Sequence, residues 1–143
     1  MGKRLEVHPD TPQRRFIEEA VKVLRKGGVL NYPTDTVYAM GCDISSKKAL
    51  ERVCQIKGIK PENFQSKRKT VGIRVTDHQI PLDIVAELGN PIMSTSLKDE
   101  NDIYEYDPDE IWSNYGKLVD LFVDGGWGGS EASTIIDYSQ GDD

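Results

Sequence analysis

Between Thr11 and Lys26 apolar residues fall at helical spacing. Phe16, Ala20, Val23 and Leu24 share one face, and Arg14, Arg15, Glu18, Lys22 and Arg25 share the other. Asp10-Thr11-Pro12 supplies a cap and a first-turn proline, and Gly27-Gly28 a stop, so the pattern predicts an amphipathic helix. A strand over Arg4–Val7 precedes it, and a buried strand over Val29–Tyr32 follows. The polar stretch from Pro33 to Asp43 reads as a loop. Leu50, Val53 and Cys54 mark the inner face of a second helix, from Ser46 to Lys57. Gly58–Lys69 carries no apolar period and reads as loop. Thr70–Val75 alternates as a strand, Pro81–Leu88 reads as a short helix stopped by Gly89, and Ile92–Ser96 is a further short strand. Asp107-Pro108-Asp109-Glu110 combines an N-cap, an N1 proline and an acidic third position, opening a helix with Ile111, Trp112, Tyr115 and Leu118, or their neighbours, inward. Two strands close the pattern, Leu121–Val123 and Ser133–Asp137, joined by the glycine-rich Asp124–Gly129. Strands alternating with helices predict an α/β fold, without internal repeats.

The length of 143 residues suits a single domain over 1–143. A net charge of -6 counts against non-specific binding to long nucleic acid, which depends on Lys and Arg neutralising phosphates. No apolar run is long enough to span a membrane, and Met1–Val7 lacks the apolar centre of a secretory signal, so a cytoplasmic protein is expected. Cys42 and Cys54 form no Cys-x-x-Cys or Cys/His cluster and read as reduced, buried thiols; no side-chain metal site follows from spacing.

Hydroxyl-rich or basic segments lie beside predicted strands: Thr34, Thr36 and Tyr38; Thr70 with Arg74; Ser94, Thr95 and Ser96; Ser133 and Thr134. Open α/β sheets bind polar ligands in clefts lined by strand ends, although each such segment taken singly also has a structural reading. Pro33 fixes φ at the end of the buried strand, and Gly41 permits a tight turn or a close approach of backbone. Gly125-Gly126-x-Gly128-Gly129 lacks the Gly-Lys-Ser/Thr and the helix of a phosphate loop and reads as a tight strand connection. Lys67-Arg68-Lys69 reads as a solvated surface, and His8 and His78 as ordinary loop histidines. Asp35 and Asp43 fit turn-capping as well as a magnesium ion carried by nucleotide phosphates.

The run Pro33-Thr34-Asp35-Thr36-Val37-Tyr38-Ala39-Met40-Gly41 resembles the Pro-Thr-x-Thr-x-Tyr-Gly-Leu-Gly element of the YrdC/YciO family, with Ala39 and Met40 where Gly and Leu are usual. The resemblance extends in order through the first helix, Thr70–Val75, Pro91–Ser96 and Val119–Asp137. It implies a twisted mixed sheet with flanking helices around a large concave cleft. It also implies an L-threonylcarbamoyladenylate synthase, a nucleotidyltransferase that joins L-threonine, bicarbonate and ATP, with magnesium, into threonylcarbamoyl-AMP and pyrophosphate for tRNA modification. Carried over by position, Thr34, Thr36, Tyr38, Arg74 and Ser133 contact substrate, and Lys57, Thr70, Ser94, Ser96 and Thr134 contact the nucleotide. Lys57 and Arg74 are the catalytic cations in this assignment. Lys57-Gly58-Ile59 replaces the synthases' Lys-x-Arg, and Ser94-Thr95-Ser96 their Ser-Ala-Asn, which brings the chain nearer the YciO branch. The alternative is a non-catalytic YciO-type module that binds AMP, ATP or double-stranded RNA. Against the family's pattern, a central segment between Phe64 and Ser66 and a C-terminal strand are expected to be missing.

Overall fold

The computed structural model describes residues 2–58, 77–98 and 103–127. Their elements are β1 (Lys3–Glu6), α1 (Arg14–Arg25), β2 (Leu30–Tyr32), β3 (Ala39–Asp43), α2 (Lys47–Lys57), α3 (Gln79–Leu88), β4 (Ile92–Ser96), α4 (Pro108–Tyr115) and β5 (Leu121–Asp124). The strands form one mixed sheet in the order β1-β5-β2-β3-β4. Strands β1, β5 and β2 pair in parallel, and β3 is antiparallel to both β2 and β4. Strand β4 therefore runs with the parallel three, and β3 alone is reversed.

Side chains on the two faces of the sheet feed two cores. Leu5, Leu30, Tyr32, Ala39, Leu121 and Val123 pack with Ile17, Ala20, Val21 and Leu24 of α1 and Ile80, Ile84 and Leu88 of α3. On the opposite face Met40, Cys42 and Phe122 pack with Ala49, Leu50 and Val53 of α2 and Ile111 of α4. This helix–sheet–helix layering is the usual way an α/β sheet buries both faces. Among the described residues no helix is long and apolar enough to cross a membrane.

Several boundaries differ from the sequence reading. Helix α1 begins at Arg14, with Gln13 as N-cap and no side-chain cap, instead of being capped by Asp10. The reason is local: His8 Nδ1 accepts from the backbone N–H groups of Asp10 (3.2 Å) and Thr11 (3.0 Å), which holds those residues in a turn. The buried face of α1 is Ile17, Ala20, Val21 and Leu24, with Phe16 and Val23 at its margin. Apolar residues at both rotations make the pattern ambiguous, and a helical side chain covers the surface N-terminal to its own Cα. His78 is more than a loop residue: its Nδ1 accepts from Ile80 N–H (3.2 Å) and caps α3, which starts two residues ahead of Pro81. Leu118 lies beyond the end of α4 and is 45% exposed. By contrast, Asp107 caps α4 through Asp109 N–H, as its position predicts, while Ser46, read as the first residue of α2, is its N-cap through Ala49 N–H.

The largest departure is β3. Ala39–Asp43 is a strand buried at every position, where a loop was expected. Gly41 explains how it fits. A Cβ there would stand 2.8 Å from Ile92 Cγ2 and 2.9 Å from Tyr32 Cε1, so close approach between strands, and not a turn, requires the glycine. Asn31, inside the run read as apolar, is fully buried in β2, and neither of its amide atoms has a partner among the described residues. Cys42 and Cys54 are both buried and neither is in a disulfide, and burial pushes the Cys42 thiol up to about 12. The predicted strands Thr70–Val75 and Ser133–Asp137, and the Phe64–Ser66 junction, lie outside the described residues.

Candidate functional site

Because β1, β5, β2 and β4 run the same way, their carboxyl ends share one edge of the sheet, the place where open α/β sheets bind ligands. The loop after β2, the start of β3, the segment after β4 and the glycines after β5 all meet there. Of the predicted site residues, Thr34, Thr36, Tyr38, Ser96 and Lys57 come together at this edge. Ser94 lies one pleat further in, opposite Gly41. Thr70, Arg74, Ser133 and Thr134 lie outside the described residues.

Within the loop, Thr34 Oγ1 donates to Val37 O (2.6 Å) and accepts from Thr36 N–H (3.2 Å). Thr34 is thereby buried and serves mainly to close the turn, leaving Thr36 half-buried at the surface with its Oγ1 3.3 Å from that of Thr34. Asp35, at the tip, is exposed. Ser96 stands opposite Ala39 in the β3–β4 ladder, and the Lys57 ammonium, at the end of α2, donates to Ser96 O (3.0 Å). A cation is thus held at the carboxyl edge, on the strand that pairs with the start of β3.

Tyr38 has a different task from the expected substrate contact. Its side chain is fully buried, its hydroxyl donates to Gly126 O (2.6 Å) and accepts from Gly125 N–H (3.0 Å), and its ring packs on Phe122 (5.7 Å between centroids). Burial drives the phenol pKa well above its ordinary value, so the hydroxyl stays protonated and its proton and a lone pair are committed to backbone. The backbone carbonyl of Tyr38 also accepts from Leu97 N–H (3.0 Å). One residue therefore ties the end of β4 to the end of β5.

Two aromatic residues missed in the sequence hang on that tie. Leu97 O accepts from Glu105 N–H (3.0 Å), which places Tyr106 beside the end of β4, and Trp127 directly follows Gly126. Their rings lie 5.6 Å apart at 45°. A lone tryptophan inside a glycine run was the only signal for Trp127, and nothing local marked Tyr106. On β1, opposite Phe122, Arg4 pairs with Asp124 (2.8 Å) and Asp109 (2.9 Å), and its guanidinium lies over the Phe122 ring (5.5 Å). Burial works against the Arg4 cation, but the two carboxylates outweigh it and its pKa sits above the ordinary value.

Asp43 ends β3 at the opposite edge of the sheet and accepts from Ser45 N–H (2.9 Å), Ser45 Oγ (2.8 Å) and Asn90 Nδ2 (3.4 Å). Burial raises its carboxyl pKa, but these hydrogen bonds outweigh that and leave it lowered. Turn-capping accounts for this residue. Among the described residues no group of three His, Cys, Asp or Glu is placed to hold a metal ion.

The Sua5_yciO_yrdC family, described as telomere recombination, matches residues 22–65 and 59–143. The uncharacterized protein YciO of Escherichia coli (strain K12) is 34% identical over 97% of this chain and 91% of its own length. The chain belongs to the Sua5/YciO/YrdC family. The crystal structure of E. coli YciO superposes on this family member with a TM-score of 0.81 at 31% identity, covering 96% of this chain and 95% of that one. The threonylcarbamoyl-AMP synthase of Chromohalobacter salexigens is 23% identical over 88% of this chain and 94% of its own length. P. abyssi Sua5, complexed with L-threonine, shares the fold at a TM-score of 0.78 and 15% identity, matching 98% of this chain and 55% of that one. The alignment with YciO runs over 188 residues, more than the 143 present here, so YciO has residues without counterparts in this family member. The two family matches meet at 59–65, around the Phe64–Ser66 junction.

Proposed function

We propose that this chain binds ATP and L-threonine at the carboxyl edge of its sheet and joins them with bicarbonate into threonylcarbamoyl-AMP, releasing pyrophosphate. The observation that carries the reading is the convergence of the Lys57 ammonium, Ser96 and the Thr34–Thr36 loop at that edge. A cation beside hydroxyl groups suits a phosphate chain, and the reaction asks for positioning and charge stabilisation around the phosphoanhydride without a side-chain nucleophile. The synthases related in sequence supply the reaction class. Arg74 is assigned to the threonine carboxylate, where a guanidinium forms two parallel bonds. Magnesium enters with the phosphates. The test is incubation with ATP, L-threonine, bicarbonate and magnesium, measuring pyrophosphate and threonylcarbamoyl-AMP. No product above blank at high enzyme concentration refutes catalysis.

A second reading is a module that holds a nucleotide, or double-stranded RNA, without turnover. Two observations favour it: Gly58-Ile59 where the synthases have a second cation, and the higher identity to YciO than to the synthase. Salt titration separates the ligands, because affinity for RNA falls steeply with ionic strength and a pocket for one nucleotide responds less. We further propose that a central segment is absent between Phe64 and Ser66, which the longer YciO alignment supports. The intact mass of the natural protein tests it.

A further inference from the structure

Tyr106 is 41% and Trp127 69% exposed, and they are the exposed aromatic pair among the described residues. Neither belongs to the two cores formed by the described residues. The other tryptophan, Trp112, is stacked on Phe122 at 6.1 Å and 16°. Leaving an indole in water forfeits the burial that makes tryptophan valuable to a core, so its placement points to a ligand.

The pair is held on prepared backbone. Gly126, at φ 94°, directs its carbonyl at the buried Tyr38 hydroxyl, while Asp124 Oδ1 accepts from Gly126 N–H (2.9 Å), and Trp127 projects from this pinned turn. Tyr106 follows Glu105, whose N–H is fixed on Leu97 O and whose buried carboxylate accepts from Asn114 Nδ2 (2.6 Å). Leu97 in turn adjoins Ser96, the residue held by the Lys57 ammonium. The cation and the aromatic pair are thus linked through Ser96, Leu97 and Glu105 at one edge of the sheet. One nucleotide carries a base at one end and phosphates at the other, which asks for an aromatic surface and a cation at the same edge.

We infer that the Tyr106–Trp127 pair is the stacking surface for the base of the bound nucleotide. The inference rests on the nucleotide-binding reading above and adds residues that the resemblance does not assign. Two rings match the area of one heteroaromatic base and are far too small for a protein interface, which needs about 800 Å² on each side. Stacking tolerates any base, so the platform contributes affinity more than choice between purines.

The experiment uses the full chain and the fluorescence of its two tryptophans, of which Trp127 is the exposed one. Wild type and Trp127→Leu are titrated with ATP, AMP and tripolyphosphate, with affinities measured in parallel by calorimetry. ATP and AMP should quench emission in wild type, and tripolyphosphate should not. Trp127→Leu should lose the quenching and bind ATP roughly 10-fold more weakly, with tripolyphosphate affinity unchanged, and Trp127→Phe should recover most of the loss. Equal ATP affinity in wild type and Trp127→Leu overturns the inference, and so does the absence of nucleotide binding in wild type. A dependence on Trp127 seen only with unpaired RNA overturns it as well. The inference and the catalytic reading separate cleanly. Synthase turnover with unchanged ATP affinity in Trp127→Leu defeats the platform alone, whereas quenching by ATP without any threonylcarbamoyl-AMP supports the platform and defeats catalysis.

Discussion

Removing a single oxygen from Tyr38 tests whether the carboxyl edge is organised as described. In Tyr38→Phe the ring keeps its place against Phe122, so packing is conserved, but Gly126 O loses a 2.6 Å hydrogen bond and Gly125 N–H a 3.0 Å one. Leaving a buried group unsatisfied costs about 1–3 kcal/mol. Gly125 is half-buried and Gly126 exposed, so water can reach the freed groups once the turn relaxes, which places the expected loss at about 1–2 kcal/mol. At the unfolding entropy typical of a chain this long, that lowers Tm by about 3–7 °C. Urea unfolding followed by far-UV circular dichroism should show a lower midpoint at unchanged slope. Emission anisotropy should fall as Trp127 gains freedom. Tyr38→Ala gives the contrast: losing the ring as well costs about 3–5 kcal/mol, enough to bring a marginal domain close to unfolding. A Tyr38→Phe midpoint within about 0.5 kcal/mol of wild type, with unaltered anisotropy, refutes the idea that this hydroxyl ties β4 to β5.

Gly41→Ala forces a Cβ to within 2.8 Å of Ile92 Cγ2 and 3.0 Å of Met93 O, and should destabilise by about 1–3 kcal/mol in urea; a neutral result would show that β3 and β4 are not packed this closely. Asn31→Val replaces a buried amide that has no partner among the described residues with an apolar strand former, and should raise the urea midpoint by about 1 kcal/mol; a fall instead means that the amide is bonded. Burial lowers the His78 pKa, partly offset by Asp35, Asp10 and Asp77. Its folded pKa thus lies below the unfolded value of about 6.5, so its contribution is complete above that pH and is lost as pH falls toward the folded pKa. His78→Asn keeps a capping acceptor for Ile80 N–H without the titration, and should lose less stability than wild type between about pH 7 and pH 5. Parallel curves would exclude His78 as the source.

The chain's local chemistry was enough for several elements. Ser46 and Asp107 have the side chains that cap a helix, Gly58 and Gly89 take the left-handed conformation that ends one, and the inward Leu50, Val53 and Cys54 follow from spacing alone. The Pro33–Gly41 signature pointed to the family before any coordinates, because it lies within one continuous stretch. Contacts between distant stretches decided the rest. Ala39–Asp43 is a strand because Ile92–Ser96 pairs with it, and its own residues carry no alternation strong enough to announce that. The rotation of α1 was set by the sheet it covers. Tyr38 reads as one more hydroxyl in a polar run until Gly125 and Gly126 arrive from β5 and claim it. The Tyr106–Trp127 pair exists only once the ends of β4 and β5 are brought to the same edge. Residue type and spacing determine which conformations a segment can adopt; which groups face one another, and hence which hydroxyls and rings remain for a ligand, depends on partners far away in the chain.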